Sequence, residues 1–204
     1  MDTVGTLNML KICSKNHLLT CLHKFIDYDE VIKAINEGLA DPEYMMISTG
    51  IREKDWKYLN KNVKKFSSNN IPIKFICIDV ANGYMQIFAD FCSKVRKTFP
   101  NITLVAGNIV SREVCEELII NGLIDIVKVG IGSGSVCTTR LQTGVGMPQL
   151  SAVLECSDAA HGVNGRIIAD GGITVPGDIA KAFGAGADFV MCGSMFAGHD
   201  ECNG

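Results

Sequence analysis

The sequence predicts an α/β protein built as a (β/α)8 barrel, of which about seven strands are present in 204 residues. Short β-rich runs alternate with helical patterns, which is typical of a parallel sheet. Most of the runs are almost continuously apolar, as expected of parallel strands that are covered on both faces. The predicted strand ends fall near residues 23, 49, 79, 107, 130, 170 and 193. This even spacing favours a barrel over an open doubly wound sheet.

The individual elements follow from local patterns. Asp27 precedes a helix with an acidic first turn, Ser111 is a cap-type residue, and Pro148 and Pro176 suit a first helical turn. The lysine-rich segment 54–65 is predicted to be the solvated face of a helix rather than a binding patch. The predicted strands are 18–23, 45–49, 73–80, 102–106, 125–129, 166–170 and 188–193. Further helices are predicted at 27–35, 83–98, 111–121, 148–161 and 176–183.

The strand count points to a partial barrel, because a closed barrel of this type needs eight strands. Residues 1–5 are interpreted as the tail of a strand, and no helix follows the seventh predicted strand. We therefore expect the first strand and the final helix to be missing. The sequence has no linker or low-complexity tract, so one partial domain over 1–204 is predicted.

Composition excludes several classes of function. The net charge of −3 gives no basic surface for nucleic acid. The nine cysteines are scattered, without a C-x-x-C pair, which disfavours structural zinc and suits a reducing compartment. No apolar run approaches the ~20 residues of a membrane span, and no signal peptide follows Met1. A cytosolic protein is expected.

The most informative segment is 128–149, which contains Cys137. A β-branched run enters a glycine-rich loop, and Cys137 lies among hydroxyl groups and beside Arg140. A thiol in such polar surroundings is a candidate nucleophile, whereas the alternative is a small buried apolar residue. Arg140 would either lower the pKa of the thiol or bind a phosphate. The glycines at 130–134 do not open a helix, so they are not a dinucleotide fingerprint.

Two glycine turns at the ends of the last two strands predict a phosphate site. Gly171 and Gly172 follow Asp170, and Gly193 and Ser194 follow the next strand. In barrels, backbone N–H groups at these positions bind phosphate, and Asp170 would accept hydrogen bonds from ribose hydroxyls. The alternative is that the glycines only form tight turns.

Three other polar positions leave alternatives open. Asp79 ends an apolar strand and is either functional or a helix cap, and Asn108 has the same ambiguity. Lys128 lies inside an apolar strand. It is either a buried functional cation or, as we favour, a side chain that snorkels its ammonium group to the end of the barrel.

Together these segments resemble the IMP dehydrogenase/GMP reductase family over nearly the whole chain. The residues from Asp79 to Tyr84, Asp-Val-Ala-Asn-Gly-Tyr, are similar to the reductase branch, since the dehydrogenases usually carry a histidine in this string. The segment 151–162 and the lack of an inserted regulatory domain point the same way. The matching strings are 1–6, 78–84, 105–108, 128–132, 134–140, 143–146, 148–153, 169–173, 177–182 and 193–198.

The resemblance implies an NADPH-dependent reductive deamination of GMP to IMP. Cys137 would add to C2 of the purine, ammonia would leave with help from Thr139, and NADPH would deliver hydride. One alternative is NAD-dependent oxidation of IMP in the same family. Others are an inactive paralogue that binds nucleotide or pairs with full-length subunits, and a phosphate-binding barrel without cysteine chemistry.

The resemblance also implies residue roles and partners. It implies a homotetramer, and it places the catalytic glutamate beyond Gly204, so we expect the isolated chain to be inactive. Ser133 stands where the family usually has proline, and the turn at 122–125 is one residue longer. The implied K+ ligands are Gly132, Gly134, Cys137 and Arg140. The implied substrate contacts are Ser135, Asp170, Gly171, Gly172, Gly193 and Ser194, and the implied cofactor contacts are Asp79, Val80, Ala81, Ile131 and Gly132.

Overall fold

The computed structural model describes residues 1–203. Backbone contacts divide the chain into two compact units. The first unit comprises Met1–Asp79, Asn101–Thr103 and Phe196–Gly204. The second unit comprises Val80–Pro100 and Leu104–Met195. The expectation of one domain over 1–204 stays a prediction.

The first unit contains three parallel strands in the order β1-β2-β3, with helices between them. Thr20 lies opposite Met45 and Met46 lies opposite Phe75 in the register. The strands are β1 Thr20–Leu22, β2 Met45–Thr49 and β3 Phe75–Asp79. The helices are α1 Leu7–Lys15, α2 Tyr28–Asn36 and α3 Glu53–Ser68, with a 3-10 turn at Pro42–Tyr44.

The second unit contains the other four strands, in the order β4-β5-β6-β7 and again parallel. They are β4 Thr103–Ile109, of which Thr103 belongs to the first unit, β5 Ile126–Val129, β6 Arg166–Asp170 and β7 Phe189–Met191. The helices are α4 Gln86–Thr98, α5 Arg112–Ile120, α6 Thr139–Thr143, α7 Gln149–Gly162 and α8 Pro176–Gly184. All seven predicted strands are therefore present, and a helix follows each of the first six.

The cores form where the sequence is continuously apolar. Ile47 and Ile76 in the first unit are almost fully buried, as are Leu104, Val127 and Ile167 in the second. Strands of this kind bury side chains on both faces, so an apolar layer lies on each side of the strands. The predictions made from apolar runs are confirmed in both units except at β7, where Phe189 is exposed and Val190 and Met191 are only half-buried.

Helix boundaries depend on capping. The Asp27 side chain accepts a hydrogen bond from the Asp29 N–H at 2.8 Å and starts α2 as predicted. Helix α4 begins at Gln86 rather than at residue 83, because Asn82 Oδ1 accepts from the Tyr84 N–H at 2.9 Å and forms a turn first. The segment 54–65 lies in α3, as predicted.

Two helices were missed by sequence reasoning. Helix α1 is capped by Thr6, whose hydroxyl accepts from the Met9 N–H at 3.1 Å, and it buries Met9, Leu10 and Cys13. That cap and spacing are a signal from which it could have been found. The interpretation of residues 1–5 as the tail of a strand is wrong, because residues 2–5 form a turn and a bend, with the Gly5 N–H bonded to the Met1 carbonyl at 3.0 Å. Helix α6 has only five residues and no apolar face to reveal it.

Aspartates fix the starts of two strand pairs in the second unit. Asp125 Oδ2 accepts from the Leu104 N–H at 2.7 Å, and Asp188 Oδ2 accepts from the Ile167 N–H at 2.8 Å. Asp188 also pairs with the His161 ring at 3.0 Å, which gives this histidine a structural surface role. Among residues 1–203, the structure has no helix that is both long and apolar enough to cross a bilayer.

Candidate active site

The loop that carries Cys137 leaves the end of β5 against the end of β6. The Gly130 N–H donates to the Ile109 carbonyl at 3.0 Å. Gly130 has a φ of +144°, and a Cβ placed there would lie 2.1 Å from the Asp170 carbonyl oxygen. Only glycine allows the backbones of β5 and β6 to approach so closely. The first residue of the loop is thereby fixed to the strand end that carries Asp170.

Ser133 makes a second connection between the Cys137 loop and the end of β6. Its hydroxyl donates to the Asp170 carbonyl at 3.0 Å. A Cβ on Gly171 would lie 2.5 Å from the same hydroxyl oxygen, so the loop packs directly on the glycine turn that follows β6. The serine that stands in place of the family's usual proline thus supplies a hydrogen bond that proline could not make.

Gln149, the first residue of α7, also connects the ends of β5 and β6. Sequence reasoning missed this role. Its Nε2 donates to the carbonyls of Val129 at 2.9 Å and Asp170 at 3.2 Å. Its Oε1 is buried and has no hydrogen-bond partner among residues 1–203. A glutamine one residue after a proline gives no local signal for this role, because the two carbonyls that it bonds belong to β5 and β6 and not to its own helix.

A polar cluster formed by Lys128, Asn108 and Asp170 lies at the ends of β4, β5 and β6. The Lys128 ammonium donates to Asp170 Oδ2 at 2.8 Å and to Asn108 Oδ1. Asn108 Nδ2 donates to Asp170 Oδ2 at 2.9 Å and to the Gly130 carbonyl at 2.6 Å. Only 3% of Lys128 is exposed, so the snorkelling that we favoured is wrong. The ammonium group finds its partners inside the protein and does not need to reach water.

The cluster keeps Asp170 ionised. Burial alone would raise the pKa of this carboxyl, but the Lys128 charge and the hydrogen bond from Asn108 outweigh it and hold the pKa below its ordinary value. Asp170 Oδ1 accepts no hydrogen bond from the described part of the chain, residues 1–203. Asp170 therefore presents a charged, unengaged oxygen at the end of β6.

Cys137 is exposed, which contradicts the alternative of a buried apolar residue. Its Sγ lies 3.3 Å from Thr139 Oγ1. The Thr139 hydroxyl, followed by the Thr139 and Gly132 N–H groups, stabilises the thiolate and lowers the pKa of the Cys137 thiol. Burial instead raises the pKa of Cys92 to about 12. Among the nine cysteines, Cys137 alone is exposed, and its lowered pKa keeps it the candidate nucleophile.

Arg140 mainly supports the loop. Its guanidinium donates to the Met147 carbonyl at 2.5 Å, and a Cβ on Gly132 or Gly146 would lie 2.7 Å or less from its side chain. Its charge also lowers the pKa of Cys137, but this effect is smaller than that of Thr139. A phosphate-binding role for Arg140 stays a prediction.

The two glycine turns predicted to bind phosphate are joined to each other. Gly171 and Gly172 have φ values of +93° and +75°, which any residue with a side chain would adopt only under strain. Ser194 Oγ donates to the Ile173 carbonyl at 3.1 Å, which connects the turn after β7, with Gly193, to the turn after β6. Ser135 is exposed two residues before Cys137.

The residues expected to contact the cofactor differ in accessibility. Asp79 is exposed at the end of β3 in the first unit. In the second unit Ala81 is exposed, and Val80 exchanges backbone hydrogen bonds of 2.9 Å with Gly107 and Asn108. The Ile131 side chain is buried, so only its backbone can meet a ligand.

The expected cation ligands share the Cys137 loop. Among residues 1–203, no cluster of three acidic, histidine or cysteine side chains forms a metal site. Carbonyl oxygens are the ligand type that K+ takes in proteins. The Gly134 and Arg140 carbonyls each accept one backbone hydrogen bond of 3.0 Å and keep a second lone pair. The donor set therefore fits a monovalent cation bound through backbone oxygens.

We expect Cys137 to be the fastest-reacting of the nine thiols toward iodoacetamide near neutral pH, because it is exposed and its pKa is lowered. Thr139→Val should raise this pKa and slow the labelling of Cys137 about 3-fold or more. Peptide mass spectrometry after timed labelling at several pH values measures both effects. Equal labelling of wild type and Thr139→Val would show that the hydroxyl does not activate the thiol.

Comparison with known proteins identifies the family. The family model of the IMP dehydrogenase / GMP reductase domain matches residues 1–204. The chain belongs to this family. It is 54% identical over 205 aligned positions to a protein named GMP reductase from Buchnera aphidicola subsp. Schizaphis graminum. It is 53% identical to proteins of the same name from Klebsiella pneumoniae and Escherichia coli O81.

The match covers the whole chain but only part of each relative. The chain spans 57% of the Buchnera protein and 58% of the Klebsiella and Escherichia proteins. Among solved structures, inosine 5′-monophosphate dehydrogenase from Legionella pneumophila matches with a TM-score of 0.84 and 32% identity. That match covers 100% of this chain and 59% of the other. This structural match and the seven strands that alternate with helices confirm the prediction of an incomplete (β/α)8 barrel.

Proposed function

We propose that this chain carries the catalytic cysteine and nucleotide-binding turns of a GMP reductase, which converts GMP to IMP and ammonia with NADPH. The observation that carries the proposal is the exposed Cys137 with its lowered pKa, on a loop fastened to the Asp170 turn. The relatives at 53–54% identity, all named GMP reductase, support the direction of the reaction.

The cysteine performs the covalent step. The Cys137 thiolate adds to C2 of the guanine ring, and the bond from C2 to the amino nitrogen breaks. Thr139 Oγ1, 3.3 Å from Sγ, stabilises the thiolate before attack and can then pass a proton to the departing amine. The amine leaves as ammonia, and the purine stays attached to sulfur.

When bound, NADPH would supply the hydride that replaces sulfur at C2. The residues proposed to hold the cofactor are Asp79, Val80, Ala81, Ile131 and Gly132. The exposed Asp79 carboxylate fits as an acceptor for hydroxyl or amide groups of the cofactor. Ala81 is exposed, and Ile131 offers its backbone only.

The two glycine turns and Asp170 are proposed to bind GMP. The backbone N–H groups of Gly171, Gly172, Gly193 and Ser194 would bind the 5′-phosphate, and the Ser135 hydroxyl would complete this site. The connection of the two turns through Ser194 and Ile173 supports one shared anion site. Asp170, held ionised, is proposed to accept hydrogen bonds from the ribose hydroxyls rather than to contact the negatively charged phosphate.

A cation site, the domain organisation, the assembly and the cellular location are proposed from the family resemblance. Gly132, Gly134, Cys137 and Arg140 are proposed to bind K+, partly through backbone carbonyls, and so to hold the loop in shape. A single barrel domain, a homotetramer and a cytosolic location are proposed as well. The reducing environment of the cytosol is supported by nine free cysteines.

Two assays of nicotinamide absorbance test the direction of the reaction. In a protein that extends this chain to the length of its GMP reductase relatives, we expect GMP with NADPH to give oxidation of NADPH, and IMP with NAD to give no reduction of NAD. GMP should also protect Cys137 from iodoacetamide. Turnover of IMP with NAD would instead identify a dehydrogenase. Protection by GMP without turnover in either assay would identify a chain that binds nucleotide but is inactive.

A further inference from the structure

Lys128 has a feature that stability does not explain. Its side chain is only 4% exposed, one residue before the end of the parallel strand β5, whereas the side chain of Asp170, to which it donates, is 25% exposed. A buried ion pair is commonly no more stable than apolar residues of similar volume in its place. The ammonium group lies behind the carboxylate, and the carboxylate reaches the surface at the end of β6.

The hydrogen bonds to Asp170 are distributed unevenly. Oδ2 accepts from Lys128 at 2.8 Å and from Asn108 at 2.9 Å, while Oδ1 accepts none among residues 1–203. Two donors on one oxygen stop the carboxylate from rotating about its terminal bond. The pair therefore fixes the direction in which Oδ1 points.

The backbone of Asp170 is held independently of its side chain. Its carbonyl accepts from Ser133 Oγ at 3.0 Å and Gln149 Nε2 at 3.2 Å. The next residue, Gly171, packs against the start of the Cys137 loop. The free oxygen is thus presented at a fixed position beside the proposed nucleotide turns. Preorganised acceptors bind hydroxyl groups at a smaller entropic cost than mobile ones.

We propose that Lys128 is a positioning residue that, through Asp170, makes the protein select ribose over deoxyribose in a nucleoside 5′-phosphate. Lys128 does not touch the nucleotide. It holds Oδ2 so that Oδ1 accepts from the 2′- and 3′-hydroxyl groups. This inference rests on the proposed function, because it takes GMP as the bound nucleotide.

Calorimetric titration of the 204-residue protein with GMP and with its 2′,3′-dideoxy analogue tests the inference. Hydrogen bonds to a charged acceptor give a preference of about 10-fold or more, so we expect wild type to bind GMP at least about 10-fold more tightly than the analogue. In Lys128→Met this ratio should fall to about 2-fold or less, mainly through weaker binding of GMP. Lys128→Arg should keep most of the ratio.

Lys181→Met is the matched control. Lys181 also pairs with an aspartate, Asp178, at 3.0 Å, but on the exposed surface of α8. Its loss should leave the ratio unchanged. Urea denaturation shows whether each variant is folded. If Lys128→Met does not fold, Lys128→Gln replaces it, because glutamine keeps a hydrogen-bond donor without the charge, and a partial fall of the ratio is then expected.

Each contrary outcome has a distinct meaning. A ratio near wild type in a folded Lys128→Met or Lys128→Gln protein overturns the positioning role and leaves the proposed function intact. A wild type that binds GMP and the analogue equally overturns ribose recognition by Asp170. A wild type that binds neither nucleotide overturns the proposed function, and the positioning role with it.

Discussion

Replacing Cys137 with alanine, in a protein that extends this chain to the length of its GMP reductase relatives, is expected to abolish GMP-dependent oxidation of NADPH, by roughly 10⁴-fold or more. The thiolate is the only group proposed to form a bond with the purine, and no other exposed cysteine occurs among residues 1–203. GMP binding should stay within about 3-fold of wild type, because the proposed phosphate and ribose contacts come from other segments. Steady-state rates and titration calorimetry measure the two effects separately.

Two further variants test whether the loss of rate is specific to the Cys137 thiol. Thr139→Val keeps the thiol but removes the hydroxyl 3.3 Å from it, so an intermediate loss of rate is expected. Cys202→Ala removes a half-buried thiol in the first unit and should leave the rate unchanged. Full activity of Cys137→Ala would favour the alternative of a phosphate-binding barrel without cysteine chemistry.

Replacing Gly130 with alanine is expected to lower the free energy of unfolding by about 3 kcal/mol and to abolish GMP binding. The new Cβ would lie 2.1 Å from the Asp170 carbonyl oxygen and 2.9 Å from atoms of Gln149 and Ser133. The nearest obstacle is backbone, which cannot turn away. The φ of +144° adds strain for any residue with a side chain. Relief requires β5 and β6 to separate at the end that holds the Cys137 loop.

Urea denaturation and titration with GMP measure both effects. Gly177→Ala is the control, since Gly177 lies in the first turn of α8 with nothing within 4 Å of a new Cβ. That variant should be neutral or more stable by up to about 1 kcal/mol, because alanine favours helix. A Gly130→Ala protein as stable as wild type would show that the two strand ends are not closely packed in solution.

Much of the site could be predicted from the sequence because its signals are local. Polar neighbours indicated that Cys137 would be exposed, and the structure confirms it. The glycines after β6 and β7 lie at strand ends, as their position after apolar runs predicted. Thr139, whose hydroxyl lies 3.3 Å from Cys137 Sγ and lowers the pKa of the thiol, is two residues away, a separation that any loop can bridge.

The residues that sequence reasoning misjudged have distant partners. Lys128 meets Asp170 across 42 positions of the chain, and Asn108 meets it across 62. Snorkelling was a reasonable expectation for a lysine inside an apolar strand, because nothing nearby in the sequence could pair with it. The role of Gln149 was hidden for the same reason, since its amide bonds to β5 and β6 rather than to its own helix.

The sequence by itself determined the alternation of strands and helices and the exposed cysteine, since apolar periodicity, caps and local polarity act over a few residues. Only the tertiary structure decided which polar groups meet at the strand ends. Parallel pairing places Lys128 beside Gly107 and Ile168 in neighbouring strands. This register brings Asn108 and Asp170 within hydrogen-bonding distance of one ammonium group. Side-chain partners of this kind are set by strand register, which depends on the packing of the whole sheet.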